Sequence, residues 1–202
     1  MPPRESALSS DSPPSEAVLW PLPAWLAESA VPDTVAVDRA ARMRFVLDLV
    51  AGNIAHASGG PFAAAVFDLE TGALLGCGVN LVVPTHCSSA HAEIVAISRA
   101  QQAVECFDLG ADGRRCELVT STEPCAMCLG AIPWSGVRSV VCGATDGDAR
   151  AAGFDEGDKP EAWPRLLADR GIAVTREVCR DEAADLLLRY ADGGGPIYNA
   201  GN

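Results

Sequence analysis

The chain has 202 residues, 49% of them hydrophobic and 21% charged, which suits one globular domain with a single good core better than two. Its 27 Asp and Glu against 15 Lys and Arg leave a formal charge of −12 and an isoelectric point near 4.5. With no local basic patch to neutralise phosphates, this balance argues against DNA or RNA as a partner and favours a small neutral or cationic ligand.

Residues 1–16, MPPRESALSSDSPPSE, are rich in Ser and Pro and read as a disordered tail without a signal-peptide core. No apolar run reaches the roughly 20 residues of a membrane span, so the expected location is the cytoplasm. There, eight cysteines are expected to be buried small side chains, metal ligands or catalytic thiols rather than disulfides. Residues 17–36, with Trp20 and Trp25 between prolines, read as an irregular extension, and residues 37–202 as the functional domain. Met43, Val46, Leu47, Val50 and Ile54 recur at helical spacing, and the SGG of residues 58–60 ends that helix. AAAVFDL and ALLGCG, joined by ETG, predict a hairpin of strands 63–69 and 73–78. After a polar loop, residues 91–104 predict a helix and ELVTS a strand, and the cysteine segment 121–131 opens another helix. SVVCGA (139–144) predicts a strand, EAWPRLLADR a helical stretch broken by Pro164, GIAVTREV a last strand and EAADLLLRYA a final helix. Strands alternating with helices indicate a three-layer α/β domain with a mixed sheet, a hairpin at one side and parallel strands after it.

The chemistry concentrates in two short stretches. In STEPCAMCLGA, Cys125 and Cys128 lie three apart on one helical face, Pro124 suits the first turn, and a helix N-terminus favours ionised sulfur. Alone, such a pair is open between a metal site, a redox disulfide and no special chemistry. The second stretch, SSAHAEIVAI, carries His91, one of three histidines in the chain, 34 positions before Cys125 and at a predicted helix start. If both helices begin at one edge of the sheet, one imidazole and two thiolates supply three ligands of a tetrahedral Zn²⁺. Water in the fourth position would have its pKa lowered from roughly 15.7 towards neutrality, with Glu93 as the proton carrier. A closed structural site, with Cys87, Cys116 or Cys142 as fourth ligand, is the alternative, and it leaves Glu93 without a role.

HAE followed by PCAMC matches the H-x-E and P-C-x-x-C signature of zinc deaminases. The chain resembles the cytidine deaminase-like superfamily over most of residues 40–200, and within it the guanine deaminase branch. The resemblance implies a three-layer α/β/α fold with a mixed five-stranded sheet, His91, Cys125 and Cys128 as zinc ligands, and Glu93 as proton shuttle. GGPFAAAV implies that Phe62 stacks on the base, GVN that Asn80 holds the ring, and LGAIPWSGV that Trp134 forms a pocket wall. Ala92, inside the HAE motif, is a further implied substrate contact. AAGFDEG resembles the guanine deaminase segment that brings a second acid, here Glu156, into the site, and PIYN, with Tyr198, a tail that closes the pocket. The implied reaction is hydrolysis of guanine to xanthine and ammonia by a homodimer. Another small aminoheterocycle, such as the aminotriazine ammeline, cytosine or a nucleoside, is the nearer alternative. A tRNA adenosine deaminase shares the metal motif, but the negative charge and GFDEG oppose it. CSSAHAE replaces the more common DPTAHAE, so the loop before the helix is expected to differ.

Overall fold

The computed structural model describes residues 20–27 and 38–199; the predicted tail of residues 1–16 lies outside the described residues. Five strands form one sheet in the order β2-β1-β3-β4-β5. Strands β1 (Ala63–Asp68) and β2 (Leu74–Val79) are the predicted hairpin, and β1 also runs antiparallel to β3 (Cys116–Thr122). β4 (Ser139–Ala144) and β5 (Ala173–Thr175) continue the sheet in parallel. The mixed sheet is therefore the one expected.

Period-two alternation sorts the strands between two cores. Ala63, Ala65 and Phe67 face one side with Val119 and Val141, while Ala64 and Val66 face the other with Leu118, Val140 and Cys142. Helices α2 (Arg39–Ala55) and α8 (Arg180–Asp192) cover the first face, with Met43, Val46, Val50 and Leu187 inward. On the second lie α4 (Ala92–Ala103), α5 (Ala126–Ser135) and α7 (Trp163–Ala168), contributing Ala96, Ala100, Ile132 and Leu167. α2 starts at Asp38, whose carboxylate accepts from the Ala41 N–H. At its other end Gly59 is required, because a Cβ there would lie 1.9 Å from the Asn80 carbonyl oxygen.

Five elements depart from the sequence reading. The extension 17–36 contains one turn of helix, α1 (Ala24–Ala27), within residues 20–27; Leu26 is buried and the Trp25 Nε1–H donates to Ser58 Oγ at 2.8 Å. The polar loop after β2 includes the short helix α3 (Val82–Thr85). α6 (Asp146–Ala151) has no counterpart among the predicted elements: GDAR is not apolar, and the helix start is fixed by a reciprocal cap between Thr145 and Asp148. Pro164 does not break α7 but sits in its first turn, where a missing N–H costs nothing. β5 is three residues rather than eight, since Glu177 and Cys179 adopt left-handed φ of 63° and 53° and turn the chain into α8.

Candidate active site

Two ligand-bearing residues are helix caps at the same edge of the sheet. His91 is the N-cap of α4 and Cys125 the N-cap of α5, so Pro124 stands one residue before the cap rather than in the first turn. Cys128 follows on the buried side of α5. The Sγ atoms of Cys125 and Cys128 lie 3.4 and 3.6 Å from His91 Nδ1, and all three atoms fall within 4.8 Å of one another. A tetrahedral zinc with sulfur at about 2.3 Å and nitrogen at about 2.0 Å sets sulfur and nitrogen about 3.5 Å apart, so the triad fits that ion. Among the described residues it is the one group of His, Cys, Asp or Glu side chains so placed.

The electrostatics lead to the same cation. Hydrogen bonds from Cys128 and His91 push the Cys125 thiol down to about 4. The resulting thiolate, together with burial and Glu93, pushes Cys128 up, because a second negative charge beside the first is costly. A divalent ion between the sulfurs removes that cost. Cys116 and Cys142, candidate fourth ligands, lie buried in the second core, and Cys87 is bonded to Ser89 Oγ at 3.2 Å. None of the three joins the triad.

Next to the triad is a cavity of about 400 Å³, within the range of small-molecule sites. Glu93 reaches it from the first turn of α4 and is 7% exposed; burial first, then the Cys125 thiolate, raises its carboxyl pKa. Glu156 enters from the loop after α6, 5% exposed, its carboxyl pushed up to about 8 by burial and by the Cys125 charge. Phe62 lines the cavity and meets Phe154 edge to face at 4.8 Å; Phe154 meets Tyr198 at 5.8 Å. Tyr198 arrives on a tail fastened at both ends. Tyr190 Oη donates to the Pro196 carbonyl, while Asn199 accepts from the Asp155 N–H and donates to the Gly153 carbonyl, each at 3.0 Å.

Two expected contacts are not cavity walls. Trp134 is 85% exposed beside a separate groove containing Leu129, Pro133 and Lys159. It lies nine residues after Cys125, about two and a half helical turns, which rotates it to the far side of α5. The Ala92 side chain is fully buried in the core shared with Ala96 and Ile97. Conversely, Phe154 and Thr122 line the cavity although no sequence signal singles them out as contacts. Phe154 sits inside the quoted AAGFDEG segment and Thr122 inside STEPCAMCLGA at the end of β3, neither being singled out there as a contact.

The polar atoms left over are informative. Among the described residues, Asn80 Nδ2 and Thr122 Oγ1 are buried in the cavity wall without a hydrogen-bond partner, a cost that a bound polar ring can offset. Asn80 Oδ1 is already used by the Val82 N–H at 3.2 Å, so the amide is fixed with its donor free. Asn80→Ala should raise KM about tenfold, the loss of roughly 1.4 kcal/mol of binding, and change kcat less. Steady-state kinetics of the variant check this; an unchanged KM would remove Asn80 from the site.

Comparison with known proteins accords with this geometry. Residues 38–144 match the family model of the cytidine and deoxycytidylate deaminase zinc-binding region, a span that contains His91, Glu93, Cys125 and Cys128. The chain belongs to this deaminase family. The deaminase is 52% identical to the solved guanine deaminase from Nitrosomonas europaea, covering 85% of its own length and 94% of that chain at a TM-score of 0.81. A structure solved in complex with 2,6-diaminopurine shares 53% identity over 89% of the deaminase and 95% of that chain, at a TM-score of 0.83. The guanine deaminase of Bacillus subtilis is 40% identical over 126 residues, 59% of the deaminase and 76% of the relative.

Proposed function

We propose that the deaminase hydrolyses guanine to xanthine and ammonia, with His91, Cys125 and Cys128 holding zinc. The observation that carries this reading is a second buried carboxylate without an arginine partner, Glu156, facing the same cavity as Glu93; the third, Glu123, is paired with Arg176. The similarity to two guanine deaminases supports it. Bound zinc would supply Lewis-acid polarisation and lower the pKa of the reacting water. Glu93 takes one proton from that water as its oxygen bonds to C2, and passes the proton to ring N3. Glu156, whose carboxyl burial pushes up to about 8, gives its proton to the exocyclic amine, and the C2–N bond breaks to release ammonia. The proton of the new C2 hydroxyl returns to Glu156, leaving the xanthine carbonyl and the carboxyl restored. Phe62, braced edge to face by Phe154, offers an aromatic face to the planar ring, and Asn80 donates to one of its acceptors.

Ammonia release is the direct assay. Across guanine, adenine, cytosine, their nucleosides and aminotriazines, guanine should show the highest kcat/KM; turnover of another base with guanine inert would reassign the substrate and leave the metal chemistry standing. Two coarser properties accompany this reading. A homodimer is supported by the exposed apolar side chains of Met127, Trp134 and Leu166 on α5 and α7, and sedimentation at micromolar concentration tests it. A reducing compartment such as the cytoplasm is supported by all eight cysteines being free.

A further inference from the structure

The chain contains fourteen arginines and one lysine, Lys159, in the loop between α6 and α7. A lone lysine on a surface would mean nothing, but this side chain is only 7% exposed. Its Nζ donates to the Pro124 carbonyl at 3.0 Å, pairs with Asp146 Oδ1 at 2.8 Å and lies 4.0 Å from Glu156 Oε2. The Trp163 ring lies 5.9 Å away beneath it. An ammonium has three N–H donors, and here three oxygens from three separate segments surround it. A guanidinium is a larger, planar fork suited to two parallel acceptors, which gives a physical reason for lysine at this one position.

We propose that Lys159 is a positioning residue for deamination, holding the Glu156 carboxyl group against the Pro124–Cys125 turn so that the second acid faces the metal triad. The inference rests on the reading of Glu156 as that second acid. A simpler role, stapling the loop to α6, is already filled by Arg150, whose Nη2 donates to the Gly157 carbonyl at 2.8 Å and whose Nε meets Asp146 at 2.7 Å. What Arg150 does not do is join that loop to the turn before Cys125. The backbone of Glu156 is held there by the Ala126 N–H at 2.9 Å, and Lys159 supplies the matching restraint on the side chain. At 4.0 Å the ammonium acts on Glu156 as a charge rather than a hydrogen-bond donor. The carboxyl is thereby oriented while its proton remains free to move. Burial and the Cys125 thiolate favour the neutral acid, and the Lys159 charge opposes them.

Lys159→Met keeps the unbranched stem and removes the charge. In zinc-loaded enzyme, kcat for guanine should fall about 10- to 100-fold with KM within about threefold and one zinc per chain retained. In a Glu156→Gln background the same substitution should cost less than about threefold, because Lys159 acts through the missing carboxylate. Multiplicative losses would place its action elsewhere, and a lowered Tm with kcat per folded molecule unchanged would make it a staple only; either overturns the proposal. Full activity of Glu156→Gln alone would instead overturn the second-acid reading, so the two failures are separable. If the Met variant does not fold, Lys159→Arg, which keeps the charge but not the compact geometry, takes its place in the same comparison. It should lose part of kcat when Glu156 is present and none in the Glu156→Gln background, with multiplicative losses or an unaltered kcat again overturning the assignment.

Discussion

Glu93→Gln should lower kcat by about 10³- to 10⁴-fold while the protein still binds one zinc per chain. The size follows from what the carboxylate is asked to do: it accepts a proton from water and delivers it to the ring, and an amide can do neither. Glutamine has the same shape, so the cavity and the metal triad are undisturbed. Stability is expected to hold or rise, since burial already raises the pKa of the Glu93 carboxyl, a sign that its charged form is costly in the folded state. The checks are a colorimetric zinc assay, a urea melt and an ammonia assay on the same preparation. Loss of zinc in step with activity would mean that Glu93 supports the metal rather than the proton transfers; retained activity would dismiss the carboxylate from the chemistry altogether.

The reactive centre is readable without coordinates because its chemistry demands uncommon residues at uncommon places. Three histidines in 202 residues, one at a helix start, and two thiols three apart at another, leave few alternatives once the sheet brings both helix starts to one edge. The hairpin is readable because both faces of the sheet are covered, which makes β1 an unbroken apolar run bounded by turn residues. The expectation for Trp134 rests on resemblance alone, whereas its nine-residue spacing from Cys125 along α5 carries the side chain to the far side of the helix. Thr122 escapes notice because its hydroxyl, at the head of the cysteine segment, looks no different from those of Thr120 and Ser121 before it; only its unpartnered oxygen in the cavity wall marks it. Lys159 is invisible for a related reason: a charge in an acidic loop looks solvated until the Pro124 carbonyl, Asp146 and Glu156 are seen to enclose it.

The second large effect concerns the opposite end of β3, where Glu117 is completely buried. Its carboxylate meets Arg42 Nη1 at 3.1 Å and accepts from Ser139 Oγ at 2.8 Å, with Arg39 Nε at 3.5 Å, and the Arg42 guanidinium lies 4.9 Å from the Phe67 ring centre. Arg42 is also fully buried, and its Nε and Nη2 have no hydrogen-bond partner among the described residues. The arginine therefore depends on Glu117 for nearly all of its compensation. Glu117→Ala should destabilise the fold by about 3–5 kcal/mol, the usual consequence of leaving one buried charge unpaired. Arg42→Met combined with Glu117→Leu should recover most of that loss, because no charge then remains to be solvated. Urea titrations of the single and double variants measure both quantities, and a single-variant loss under about 1 kcal/mol would show that water reaches Arg42. Five residue steps of strand, about 17 Å, separate Glu117 from Thr122 at the cavity. Folded Glu117→Ala enzyme should accordingly turn over at the wild-type kcat, so that this pair sets how much of the protein is folded and Glu93 sets how fast the folded protein works.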